Sequence, residues 1–269
     1  MRRLSKYLHF FLFALAISLQ AADAQLQVPF EKGETLKYEG KLSKIVSGIP
    51  VADLTFTVDK NNDGDFSITA EARSKGTLLK IARYSFIQRY ESTIDANRFR
   101  IEKTLKYDVQ KDRVRNGEAL FDYRDKRVTY VETDPKDPMR PPRNIASEIA
   151  DQTHDIVSGI YSLRLLPLSV GQKYTLQISD SGLVYSIPVA VTGREQLKTD
   201  IGKVWCLKIV PEVFGPGRLI ESEGNMTIWI TDDKRRIPVR GVVKSSIGKI
   251  DIRIRSFSNN SGNNNQAAR

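Results

Sequence analysis

Residues Asp151–Leu166 read DQTHDIVSGIYSLRLL and are closed by Pro167. Set at 100° per residue, Ile149, Ile156, Val157, Ile160, Tyr161 and Leu163 fall on one broad face. Asp151, His154, Asp155, Ser158 and Ser162 fall on the other. Asp151 suits an N-cap, and Pro167 stops further helix because its ring has no N–H to give the ladder. The spacing therefore predicts an amphipathic helix over 151–166, with His154 facing solvent. Arg164 breaks the pattern, entering the apolar face between Val157, Ile160 and Tyr161.

Outward from this helix, almost every other patterned segment alternates with period two. Ala52, Leu54, Phe56 and Val58 oppose Asp53, Thr55, Thr57 and Asp59. Phe66, Ile68, Ala70 and Ala72 oppose Ser67, Thr69, Glu71 and Arg73, across the turn Asn61-Asn62-Asp63-Gly64-Asp65. Further strands are expected over Phe86–Ile94, Arg98–Val109, Glu118–Tyr123 and Arg127–Glu132, and a short helix over Thr77–Arg83. Thr133–Ser147, with four prolines, reads as a long loop. Six more strands are expected between Tyr174 and Phe257.

One-sided alternation marks antiparallel sheet with one solvated face. About a dozen such strands cannot stay flat. The expected class is mainly β: one curved antiparallel sheet, half-barrel or barrel-like, with a central amphipathic helix against its concave face. A faint internal echo divides it, since Pro29-x-x-x-Gly33-Glu34 and Pro167-x-x-x-Gly171-Gln172 each open a β run.

The chain of 269 residues begins with an export pattern. Arg2, Arg3 and Lys6 precede the apolar run Phe10–Leu19, and Ala22-Asp23-Ala24 supplies a small-residue cleavage site. The run is too short for a permanent span of a roughly 30 Å bilayer. The expected division is a signal peptide over 1–24, one β-rich domain over 25–257 and a disordered Asn/Ser-rich tail over 258–269. The location is periplasmic or secreted, with no transmembrane segment after cleavage. A lone Cys206 forms no intrachain disulfide, so the core must hold the fold.

The formal net charge is +10. In an exported protein such a surplus points to anionic envelope lipid or glycan sooner than to nucleic acid. Arg236, Arg240, Lys244, Lys249, Arg253 and Arg255 crowd the last strands, either as a docking stripe or as charged protection of an edge strand.

Catalytic chemistry finds few candidates. Of two histidines, His9 leaves with the signal. Asp59-x-Asn61-x-Asp63-Gly64-Asp65 copies half a calcium loop, but Ala70 stands where the bidentate Glu belongs, so a polar hairpin turn is expected. Ser246-x-x-Lys249 matches a Ser–Lys spacing without the helical turn such a pair needs. No cofactor, metal or catalytic residue is expected, although 32 acidic residues leave carboxylate-only hydrolysis open. Arg164 has two readings. A buried guanidinium needs a partner, which is either a carboxylate strut or an anionic ligand headgroup held with Tyr161, Ile160 and Val157.

Several ordered motifs resemble the bacterial family named domain of unknown function 3108. They are Pro29-Phe30-x-x-Gly33-Glu34-x-x-x-Tyr38, Asp155-x-x-Ser158-x-x-Tyr161-x-x-Arg164 and Gly171-x-x-Tyr174. Trp229-x-x-Asp232-Asp233-x-x-Arg236-x-Pro238-Val239 and Ile247-Gly248-x-Ile250 complete the series. The resemblance implies an exported β-rich protein, similar in shape to lipoprotein-carrier half-barrels, with no catalytic residues to carry over. Two functions follow as expectations: a non-enzymatic binder of a lipid, acyl chain or envelope partner in a concave β surface, or an envelope-assembly protein working through its basic outer face.

Overall fold

The computed structural model describes residues 26–43, 48–246 and 248–259. The expected signal peptide, and 260–269 of the tail expected over 258–269, lie outside the described residues, while Ser258 instead closes the last strand.

Period-two alternation becomes strand wherever it was read. The elements are β1 (Thr35–Ser43), β2 (Ile49–Lys60), β3 (Phe66–Ser74), α1 (Thr77–Ile81), β4 (Phe86–Ile94) and β5 (Ile101–Gln110). They continue with β6 (Arg113–Asp122), β7 (Arg127–Thr133), β8 (Arg143–Glu148), β9 (Thr153–Asp155) and α2 (Ile156–Leu163). The chain ends with β10 (Lys173–Asp180), β11 (Leu183–Thr199), β12 (Gly202–Pro211), β13 (Gly224–Thr231), β14 (Pro238–Ser245) and β15 (Gly248–Ser258).

These strands form one 15-stranded sheet in the order β8-β7-β6-β5-β4-β3-β2-β1-β15-β14-β13-β12-β11-β10-β9. Every neighbouring pair is antiparallel except β9 with β10. The first and last strands pair in the middle, Gly40 opposite Ile252, and the sheet does not close on itself. Its two arms nevertheless touch. Gly182 in the β10–β11 turn has φ 82°, and a Cβ there would lie 2.7 Å from Tyr130 Cβ on β7. Lys106 Nζ on β5 reaches Asp180 Oδ1 at 3.1 Å and Ser181 Oγ at 3.0 Å across the same seam.

The two arms open alike. Gly33 N–H donates to Val58 O at 2.8 Å and Val58 N–H to Glu34 O at 2.9 Å. Gly171 N–H donates to Val191 O at 2.8 Å and Val191 N–H to Gln172 O at 2.9 Å. Both glycines hold φ near +90°, 88° and 91°, which an L side chain rarely adopts. Phe30 and Leu168, each following the motif's proline, are buried in the two separate apolar clusters of the arms. The repeat read in the sequence is thus a repeated turn.

The predicted helix over 151–166 is corrected. Helix α2 spans Ile156–Leu163; 153–155 instead pair with β10, and Arg164 is the C-cap. Asp155, not Asp151, is the N-cap: its side chain accepts from Ser158 N–H, and Ser158 Oγ accepts from Asp155 N–H, a capping box. The expected polar face is buried, as His154, Asp155, Ser158 and Ser162 are all enclosed. Gly159 permits this, because a Cβ there would meet Ile178 Cδ1 of β10 at 2.5 Å. Helix residues Val157 and Tyr161 belong to the core of the first arm, and Leu163 to that of the second.

Two other expectations change. The predicted loop Thr133–Ser147 ends in strand β8, so the connection is only 134–142. The basic segment around Arg240–Arg255 lies on β14 and β15 at the centre of the sheet, so edge protection does not explain it.

Candidate functional site

Arg164 leaves the end of α2 with its guanidinium enclosed, at 2% exposure. Its Nη1 donates to Glu34 Oε1 at 2.5 Å and its Nη2 to Glu34 Oε2 at 2.9 Å, a forked pair. Nη2 also donates to Pro29 O and Arg235 O, each at 2.9 Å. The guanidinium carbon stands 5.1 Å from the Phe30 ring centre and 5.0 Å from that of Tyr161. Tyr161 Oη donates to Glu34 Oε1 at 3.3 Å, and burial raises the pKa of its hydroxyl well above the usual value, keeping it a donor. One side chain thus ties the turn before β1, the end of α2 and the β13–β14 turn together. Nε alone has no partner among the described residues.

The structure therefore brings Arg164, Tyr161 and Val157 into one enclosed place, filled by Phe30, Phe56, Phe66 and Phe99. Ile160 is half-buried and stands apart from the three apolar clusters. The residue that sequence reading missed is Glu34, although it stands in both the opening echo and the family motif. Motif positions Phe30, Glu34, Tyr161 and Arg164 meet here, and Asp155 and Ser158 cap the same helix.

At the other end of α2, Asp155 is buried without a cation beside it among the described residues. Its Oδ1 accepts from Ser158 N–H and Ser158 Oγ at 2.7 Å each. Its Oδ2 accepts from Thr104 Oγ1 at 2.7 Å and from Ser92 Oγ. The carboxylate thereby pins the helix start to β4 and β5.

His154, expected in solvent, is 5% exposed because 153–155 continue the sheet. Burial pushes its pKa from 6.5 down to about 4, the Asp155 charge acting the other way. Its Nδ1 has no partner among the described residues. The unfolded chain binds the proton near pH 6.5 and the folded one only near 4, so acid draws the equilibrium toward unfolding in that window. We expect the unfolding free energy to fall by about 2 kcal/mol between pH 7 and pH 5 from this group. Urea titrations at both pH values, with His154→Gln losing that pH step, check it.

The basic residues assemble elsewhere. A groove of 450 Å³ runs along β1, β14 and β15 under the β11–β12 tip. Arg240, Lys249, Arg253 and Arg255 line it, joined by Lys41 and Lys198; Arg236 and Lys244 lie outside it. Arg236 instead meets Asp232 at 3.3 Å. Three acids share the lining, Glu39, Asp200 and Asp251. Asp251 bonds Arg240 at 2.7 Å and Arg253 at 3.0 Å. Burial raises its pKa, but these bonds outweigh it and hold it at about 2. The hydrogen bond from Arg255 leads in drawing Glu39 down to about 2 as well. Six cations thus face three carboxylates. Lys198 and Lys249 have no ion pair among the described residues.

The hairpin turn read against calcium uses its side chains on backbone, Asn61 Oδ1 accepting from Asp63 and Asp65 N–H at 3.0 and 2.9 Å. Among the described residues no three His, Cys, Asp or Glu side chains gather as a metal site, and no helix is long and apolar enough to cross a membrane. Cys206 is buried and its thiol is pushed up to about 12, chiefly by burial.

Among solved structures, the chain superposes on a β-barrel-like protein of domain of unknown function DUF1849 from Brucella abortus. The TM-score is 0.59 at 9% identity, over 85% of this chain and 98% of that one, a likeness of fold alone. A protein described as exported, with a YmcC-like fold, from Bacteroides fragilis aligns over 87% of this chain and all of its own, with 11% identity and a TM-score of 0.35. No curated protein sequence matches. The family Protein of unknown function (DUF3108) matches residues 35–255, which reaches into every strand of the sheet, and the chain belongs to that family.

Proposed function

We propose that this is a non-enzymatic periplasmic protein that holds an anionic component of the cell envelope in the groove of β1, β14 and β15. The observation that carries the reading is the excess of cations over carboxylates lining that groove, including two lysines without an ion pair. A guanidinium already clamped by Asp251 keeps its geometry, while Lys198 and Lys249 are left to meet the ligand. Overall the sheet acts as a half-barrel whose concave side α2 covers, so binding falls to the outer surface. A lipid held beside α2 is the other reading, and the aromatic rings packed on Tyr161 leave it without a supporting observation.

The test uses immobilised dextran sulfate as an anionic glycan mimic. The wild-type chain is expected to be retained at low salt and released as salt rises. Lys198→Glu with Lys249→Glu should weaken retention about tenfold or more, at about 1 kcal/mol for each cation lost at an anionic surface. Equal retention of both proteins would remove the groove from the mechanism.

A further inference from the structure

We propose that α1 and its flanking turns, residues 75–85, form a docking tip that inserts shallowly into an anionic lipid bilayer surface. The sheet does not need this segment. β3 and β4 pair directly, Arg73 opposite Ile87, and Phe86 N–H donates to Ser74 Oγ at 3.1 Å, so a short turn would join them. Instead the chain leaves through Gly76, φ 96°, and makes a helical turn with no buried residue.

The inserted residues are apolar yet exposed. Leu78 is 39% exposed, Ile81 76% and Tyr84 37%. Leu78 and Ile81 are three apart on the helix and so lie on one side of it. Neighbouring apolar side chains left in water on an element the core does not use mark a contact surface.

Charge decides which surface. From Ala72 to Tyr90 the sequence holds Arg73, Lys75, Lys80, Arg83 and Arg89 and no Asp or Glu. Lys111, from the β5–β6 turn, adds its ammonium 5.6 Å from the Tyr84 ring centre. Lys80, Arg83 and Lys111 have no ion pair among the described residues. A second copy of this chain would set these cations against their own kind, which repels. A sheet of anionic headgroups satisfies them while the acyl boundary takes up Leu78 and Ile81, the arrangement of interfacial amphipathic elements. The basic surplus of the chain favours the same approach. Lys75, bonded to Asp53 at 2.9 Å and Glu39 at 3.1 Å, fixes the base of the tip to β2 and β1.

This inference stands apart from the groove, and one experiment separates them. Vesicles of phosphatidylglycerol and phosphatidylcholine are sedimented with the full chain, against vesicles of phosphatidylcholine alone. The wild type should pellet with the anionic vesicles, and salt should release part of it. Ile81→Asp, and separately Lys80→Glu with Arg83→Glu, should each lower binding at least tenfold without moving the urea midpoint, because Lys80, Ile81 and Arg83 are all exposed. A fluorophore on Ile81→Cys should shift to the blue on anionic vesicles; the enclosed Cys206 thiol stays unlabelled. Lys198→Glu with Lys249→Glu should leave vesicle binding in place. Binding that survives the α1 variants would overturn the proposal, as would an unshifted fluorophore. Concentration-dependent dimerisation abolished by Ile81→Asp, without vesicle binding, would overturn it in favour of a second copy.

Discussion

Arg164→Leu is expected to lower the unfolding free energy by about 3–5 kcal/mol, since it leaves the Glu34 carboxylate buried without its cation. The loss has three parts: a stranded charge, two backbone carbonyls of Pro29 and Arg235 deprived of a donor, and the stacking on Phe30 and Tyr161. Glu34→Leu alone should cost a similar amount, because the guanidinium is then the stranded ion. Combining the two should cost less than the sum of the singles, as apolar side chains of like volume replace an ion pair tolerably. Urea midpoints of the four proteins form the cycle. If Arg164→Leu melted like the wild type, the residue would be a held-open ligand contact and not a strut.

Asp155→Ala is the second large effect, expected at about 3–5 kcal/mol. The N-cap contributes about 1 kcal/mol, and each of the buried hydroxyls of Ser92 and Thr104 loses an acceptor at about 1–2 kcal/mol. Asp155→Asn should fall between, because its amide oxygen can still cap Ser158 while its NH₂ is a poor neighbour for two hydroxyl donors. Ser92→Ala in the Asp155→Ala background should add little, since that hydroxyl has already lost its partner. Thermal melts of these variants check the order. A loss in Asp155→Ala no larger than a solvent-facing cap would give, about 1 kcal/mol, would mean that Asp155 does not bind the helix to β4 and β5.

How far the site could be read in advance differs by residue. Arg164 announced itself as a cation in an apolar stripe, and that a carboxylate would meet it followed from the cost of burial. Which carboxylate did not follow, because Glu34 is 130 positions away. Four of the six groove cations were legible as a cluster, but Lys41, Lys198, Glu39 and Asp200 were not, since β1 and the β11–β12 tip reach β15 only through the fold. His154 was misplaced for a similar reason. Helical periodicity put it on a polar face, while the chain there continues as strand β9 and makes the helix start at Ile156.

Alternation with period two is a local property, written in adjacent residues, and so the sequence alone determined that this protein is a large antiparallel sheet with one buried face. Turn glycines at 33 and 171 are local in the same sense, and they announced the repeated opening of the two arms. Burial of a helix on all sides is not local. Only the tertiary structure decided that Asp155, Ser158 and Ser162 would be enclosed, because α2 contacts β3 and β4 of one arm and β9 and β10 of the other, and the first arm brings the hydroxyls of Ser92 and Thr104, with Glu34, to it. A polar residue facing water and one facing a distant strand have the same periodicity, and only the closing of long loops tells them apart.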